Sequence, residues 1–154
     1  MRLSQLPGFC DFTSGFFRAT GIGLSRILAD GMVSIVIVNW NSGPLLESCV
    51  RSLLRDTQDC EILVVDNASG DESLGFISSV PRQITVIRNS ENLGFAAANN
   101  QGWRRSAGEL VLFLNPDTES LPGAVPCLAQ SLLADCGIWA AGGRLIAPSG
   151  RIQA

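Results

Sequence analysis

Carboxylates and carboxamides recur at one kind of position in this 154-residue chain, directly after a short apolar stretch. Residues 33–38 run into Asn39, Trp40 and Asn41, and residues 61–65 into Asp66, Asn67, Ala68 and Ser69. Residues 84–87 are followed by Asn89, Ser90, Glu91 and Asn92, and residues 110–114 by Asn115, Pro116, Asp117 and Thr118. Taken singly, each is an ordinary turn or helix cap, because Asn and Asp side chains bond nearby backbone amides. Brought to one rim, they suit a ligand rich in hydroxyls and phosphates. Asp117 has the sharpest chemistry. A carboxylate on a loop after a buried strand suits Mg2+ or Mn2+, which take oxygen ligands and share them with substrate phosphates. Such a metal acts as a Lewis acid towards a diphosphate leaving group. Asn115 can add a carbonyl oxygen or a water-mediated bond, and Asp66 suits a base or ribose contact. A helix start near Leu93, Gly94 and Phe95 would aim backbone amides at phosphate.

The elements that must position these residues follow from periodicity. The apolar, β-branched runs read as strands buried on both faces. Asn41, Ser42, Gly43 and Pro44 are helix-start signals, and Leu45, Leu46, Cys49, Val50, Leu53 and Leu54 recur at helical spacing. Ser69 with Glu72 predicts a capping box opening a short helix. Residues 93–106 read as an alanine-rich helix, and residues 123–134 as another with Pro122 and Pro126 near its first turn. Residues 138–141 and 144–147 are short strand candidates, followed by a turn at Pro148, Ser149 and Gly150. Strands alternating with helices predict an α/β fold: an open, mostly parallel sheet with flanking helices and right-handed crossovers. In such sheets ligands bind outside the carboxyl ends of the strands, where the polar residues stand.

Composition removes several function classes. Hydrophobic residues at 46% and charged residues at 16% exclude global disorder. A net charge of −3, spread without long runs of one sign, leaves no footprint for nucleic acid. The absence of histidine removes Ser-His-Asp and Cys-His catalysis and the Cys₂His₂ type of zinc site. The five cysteines contain no C-x-x-C pair and are expected to be reduced, mostly buried thiols of a cytosolic protein. There is no G-x-x-x-x-G-K-[ST] and no G-x-G-x-x-G after the first strand. Residues 1–31 fit a signal peptide poorly, and their apolar run is too short and broken for a transmembrane helix. They are expected to be a leader of uncertain order. The alternative is a weak amphipathic helix, with Phe9, Phe12, Phe16 and Phe17, associating with a membrane surface. Met32 stands as a second candidate start.

Four ordered motifs, VSIVIVNWN at 33–41, VVDNASGD at 64–71, NLGFAAANNQG at 92–102 and LNPDT at 114–118, resemble family 2 glycosyltransferases, in particular the rhamnosyltransferase-like bacterial branch. The resemblance covers roughly residues 32–152. It implies the A-type nucleotide-diphospho-sugar transferase fold, an inverting mechanism, and hexosyl or rhamnosyl transfer from a UDP- or dTDP-sugar with a divalent metal (Mg2+ or Mn2+). By position, Asn39 and Asn41 resemble the nucleotide contacts of the first strand, and Asp66 the aspartate that binds the nucleobase. Asn67 and Asp71 belong to the same loop, and Gly94 and Asn99 to the segment near the donor's phosphates and sugar. Asn115, Pro116 and Asp117 stand where the family has its metal-binding D-x-D, with Asp117 as the one carboxylate. The acceptor implied for a full-length relative is a cell-surface polysaccharide or lipid-linked glycan, handled in the cytoplasm at the inner face of the membrane.

Family members continue into an acceptor-binding region whose E-D-type motif supplies the catalytic base. After Asp117 this chain has only Glu119 and Asp135, and neither matches. Residues 32–154 are therefore expected to form a donor-binding domain incomplete at its C-terminus, with little or no transfer activity alone and an exposed sheet edge near Ile138 and Trp139. One alternative is a non-catalytic nucleotide-sugar-binding remnant. A nucleotidyltransferase would call for a basic, glycine-rich loop after the first strand, which residues 39–42 do not supply.

Overall fold

A computed structural model describes residues 33–56, 60–81, 84–134, 137–147 and 149–153. The expected leader, its amphipathic alternative and Asp135 lie outside the described residues. The element order is β1 (Val33–Asn39), α1 (Pro44–Asp56), β2 (Glu61–Asp66), a single 3₁₀ turn (Ile77–Ser79), β3 (Thr85–Arg88), α2 (Phe95–Arg105), β4 (Leu110–Leu114), α3 (Ala124–Leu133), β5 (Leu145–Ile146) and β6 (Ile152–Gln153). The main sheet has four strands in the order β3-β2-β1-β4, all parallel. The expected open, mostly parallel α/β sheet with flanking helices is what forms, and β5 and β6 make a separate antiparallel pair.

Every residue of β1 is buried, because β1 has strands on both sides and helices on both faces. Period-two alternation divides its side chains. Val33, Ile35 and Ile37 pack with Ile62 and Val64 against Leu46, Cys49, Val50 and Leu53 of α1 and Val125 and Ala129 of α3. Those α1 residues fall at i, i+3, i+4 and i+7, the spacing that puts one apolar stripe on a helix. Val36 and Val38 point the other way and pack with Leu63, Val65 and Ile87 against Ala98 of α2. Gly102 lets α2 lie close on the sheet: a Cβ there would sit 2.3 Å from Val36 Cγ1.

Polar ties close the remaining corners. At the amino ends of β1 and β2, the Ser34 hydroxyl donates to Glu61 Oε2 at 2.5 Å, which also accepts the Ala107 N–H, while Gly108 N–H donates to Ser34 Oγ. Asp56, the last residue of α1, serves α3 instead of its own helix. Its carboxylate accepts the N–H groups of Gly123 and Val125 and the Ser120 hydroxyl. It thereby satisfies orphan donors at a helix start and opposes the positive end of that dipole. Asp56→Ala is expected to cost about 1–2 kcal/mol, read as a lower urea midpoint with an unchanged m-value.

Three expectations are corrected. Residues 69–76 form no helix, because Ser69 Oγ accepts from Asn39 Nδ2 and the Asn41 N–H across the strand ends. A hydroxyl engaged there cannot cap a following turn. Residues 138–141 are irregular, and β6 pairs with β5 where no strand was expected. Cys49 and Cys60 are buried and outside any disulfide, but Cys127 is disulfide-bonded. In line with the expected exposed edge, the outer side of β4 is unpaired among the described residues, and Phe113, Ile138 and Trp139 are exposed.

Candidate functional site

The strand order sets the place of the site. From β1 the chain moves outward through β2 to β3, then returns through α2 to put β4 on the opposite side of β1. β1 and β4 are thus the neighbours between which the winding reverses, and in open α/β sheets ligands bind at that crevice. Pairing of β1 with β4 ends at Ile37 and Leu114, whereas β1 stays paired with β2 through Asn39 and Asp66. The two chains separate at Val38, and a cleft of about 400 Å³ opens there. Trp40, Asn41 and Ser42 line it from the end of β1, Asn67 from β2, and Asn115, Pro116 and Asp117 from β4. Asn92 and Phe95 close it from the start of α2.

Four expected site residues (Asn41, Asn67, Asn115 and Asp117) therefore share one cleft. The other four stand beside it. Asn39 and Asp66 are buried below the rim, with Asn39 Nδ2 donating to Asp66 Oδ1 at 2.9 Å, Ser73 Oγ at 2.8 Å and Ser69 Oγ at 3.0 Å. Three acceptors converge on one amide nitrogen, which fixes the orientation of the carboxamide; turned over, its oxygen would meet the Asp66 carboxylate. Asn39 Oδ1 is left buried without a partner. Gly94 precedes α2 at φ 82° and ψ 162°, a conformation open in practice only to glycine. Asn99 lies on α2 and donates its Nδ2 to the Phe95 carbonyl at 3.1 Å.

The loop after β1 is fastened to the loop after β2. Asn41 and Ala68 both take positive φ, at 53° and 63°, a strain that local polar contacts must hold. Asn41 Oδ1 accepts the Gly70 N–H, and Asp71 accepts the Gly43 N–H at 2.8 Å and the Ser73 hydroxyl at 2.5 Å. The Ser73 hydroxyl, opposed by desolvation and helped by the Gly43 and Ser73 amides, holds the Asp71 carboxyl below its usual range. Asp71 thus builds the rim without lining the cleft. On the β4 side, the Cys49 thiol donates to the Asn115 carbonyl at 3.7 Å. Burial, with the Asp117 and Glu119 carboxylates adding to it, pushes that thiol up to about 12. It remains a neutral thiol under the loop.

Among the described residues, no group of three or more His, Cys, Asp or Glu side chains gathers to hold a metal. An all-protein cage is therefore not built here. An exposed lone carboxylate at Asp117 beside a polar cleft still fits Mg2+ or Mn2+, which keep several waters and take further oxygens from a phosphate ligand. Among the cleft residues not expected as ligand contacts are two aromatics. Trp40 and Phe95 are 58% and 60% exposed, and large aromatics left open at a rim point to a flat ligand group. An aromatic set among polar residues at a strand end was the available signal.

The chain matches the family model for glycosyl transferase family 2 over residues 34–150. It is 29% identical over 103 residues to a GalNAc(5)-diNAcBac-PP-undecaprenol beta-1,3-glucosyltransferase of Campylobacter jejuni, covering 64% of this chain and 33% of that protein. It is 34% identical over 92 residues to a poly(ribitol-phosphate) beta-glucosyltransferase of Bacillus spizizenii, covering 55% of this chain and 14% of that one. The chain thus spans a third or less of the length of these two curated relatives. A mannosyltransferase of Pyrobaculum calidifontis, solved in complex with GDP-Man and Mn2+, superposes with a TM-score of 0.62 at 22% identity, over 67% of this chain and 32% of that one. That likeness fixes the fold as the nucleotide-diphospho-sugar transferase type. Among the described residues no helix is long and apolar enough to cross a membrane. With the family model matching 117 of 154 residues (34 to 150 inclusive), the chain belongs to glycosyl transferase family 2.

Proposed function

We propose that residues 32–154 bind a nucleotide-diphospho-sugar in the cleft between β1 and β4 and serve as the donor half of an inverting glycosyl transfer. The carrying observation is the lining of that cleft: one carboxylate, several carboxamides and two open aromatic rings at the switch point of the sheet. Trp40 and Phe95 offer ring faces to the nucleobase or sugar. Asn41 and Asn115 meet ribose or phosphate oxygens. Asp66 keeps Oδ2 for a base N–H, since Oδ1 is taken by Asn39. Asp117 would hold Mg2+ or Mn2+, and the bound ion would neutralise the diphosphate leaving group. Gly94 and Asn99 place the α2 start near the donor's phosphates and sugar. The donor is a UDP- or dTDP-sugar, with GDP-sugars as comparison because the mannosyltransferase of like fold holds GDP-Man. The acceptor, by kinship with the two glucosyltransferases, is a lipid-linked glycan or cell-surface polysaccharide, assembled on the cytoplasmic face of the membrane.

Calorimetric titration of the 154-residue chain with UDP-, dTDP- and GDP-sugars, with and without Mn2+, tests this reading. Trp40→Ala is expected to weaken binding about 5- to 150-fold, the equivalent of one lost base–aromatic stack. Asp117→Ala should abolish the gain in affinity that Mn2+ brings. No binding of any nucleotide sugar under any metal condition would show the assignment to be wrong.

A further inference from the structure

Resting on the assignment of the cleft to a nucleotide-diphospho-sugar, we propose that Asn89 and Gln101 are positioning residues for donor binding, holding the 92–95 side of the cleft through a relay of carboxamides. Neither residue lines the cleft. Gln101 Nε2 donates to Asn89 Oδ1 at 3.1 Å, and Asn89 Nδ2 donates back to Gln101 Oε1 at 2.8 Å. Asn89 Nδ2 also donates to Asn67 Oδ1 at 3.1 Å, and Asn67 Nδ2 donates to Asn92 Oδ1 at 2.7 Å. The relay ends on backbone: Leu93 N–H donates to Asn67 Oδ1 at 3.0 Å and Gly94 N–H to Asn92 Oδ1 at 2.9 Å. It therefore runs from the middle of α2, past the ends of β3 and β2, to the loop that carries Asn92 and Phe95 into the cleft.

Hydrogen bonds, and not packing, hold that loop. Residues 91–97 are all exposed, and the first buried side chain of α2 is Ala98. Nothing lies within 4 Å of the place a Cβ would take at Gly94. Each carboxamide has a donor end and an acceptor end, so every link fixes the orientation of the next. An overturned Asn89 would set its oxygen against Asn67 Oδ1 and Gln101 Oε1. Asn67, only 2% exposed, is the hub where the relay reaches the cleft. A donor that contacts Asn92 or Phe95 meets groups whose position is decided by Asn89 and Gln101.

Two variants of the full 154-residue chain test the relay, with UDP-glucose and GDP-mannose as probes in the presence of Mn2+. Asn89→Asp keeps the shape and removes both donations from Nδ2. Gln101→Met breaks the outer pair at a half-buried helix position and is the milder change for folding. Asn89→Asp is expected to weaken the better-bound probe about tenfold or more, and Gln101→Met a few-fold. In both, the Leu93 and Gly94 amides should exchange faster with solvent while amides of β1 and β2 keep their protection. A structural role alone would lower protection across the sheet and leave the affinity of the folded fraction untouched. Folded variants with unaltered Kd would overturn the relay, whatever their exchange, and leave the cleft assignment standing. Failure of the unaltered chain to bind either sugar nucleotide would overturn the cleft assignment, and the positioning role with it.

Discussion

Asn39→Asp is expected to destabilise the fold by about 3–5 kcal/mol at neutral pH and to recover much of that loss in acid. The substitution is isosteric, so packing is unchanged. What changes is that Asn39 Nδ2, now donating to Asp66 Oδ1, Ser69 Oγ and Ser73 Oγ, becomes an oxygen. A second carboxylate then stands buried against Asp66, and both cannot remain ionised. One must carry a proton in the folded state, so the pair has an apparent pKa raised above the unfolded aspartate value of about 3.9. The sign follows from proton counts. Below the raised pKa the folded variant binds a proton that the unfolded chain releases until near 4, so its stability rises as pH falls through that pKa. The shared proton also restores one donor between the two carboxyls. Urea unfolding of the variant and the unaltered chain at about pH 8 and about pH 5 reads the effect as a deficit that shrinks in acid. Equal deficits at both pH values would show that Asn39 acts by shape alone.

Gly102→Ala should cost about 1–3 kcal/mol even though alanine is the better helix former by up to about 1 kcal/mol. The new Cβ would lie 2.3 Å from Val36 Cγ1 and 3.1 Å from Cγ2. Val36 is fully buried on an inner strand, its β-branched side chain is stiff at χ1, and its own Cβ would lie 3.3 Å from the new methyl, so α2 must lift. Lifting α2 also moves its first turn, where Phe95 lines the cleft. Donor affinity should therefore fall with stability. Val36→Ala removes both clashing methyls at the price of a small cavity. The double variant should be more stable than the sum of the two single losses by at least about 1 kcal/mol. Additive losses in chemical denaturation would mean that the glycine is needed for some reason other than close approach.

The layout of the sheet was legible because it rests on local pattern. Runs such as residues 35–38, β-branched and without a polar break, have one economical use in an α/β chain, and Asn or Asp after each run marked the carboxyl ends. The positions of Asn41, Asn67, Asn115 and Asp117 on one cleft follow from that reading plus the parallel direction of the strands. Local signals misled where a side chain had a distant partner. Ser69 with Glu72 looks like a capping box, yet its hydroxyl answers Asn39 and Asn41, 30 and 28 residues away. Asp56 left no local signal at all: it ends α1, yet it caps α3, 67 residues on.

The sequence by itself determined the fold class, the family and the rim on which the polar residues stand, since strand periodicity and strand-end chemistry are properties of short segments. Only the tertiary structure decided which of those residues line the cleft and which hold the others in place. Strand order put the ends of β1 and β4 side by side and opened the cleft between them. It buried Asn39 with Asp66 below the rim and left Trp40 and Phe95 open above it. It also linked Gln101 to Asn92 through Asn89 and Asn67. Such roles depend on contacts between residues far apart in the chain, and the residue types alone do not distinguish a carboxamide that binds a ligand from one that orients its neighbour.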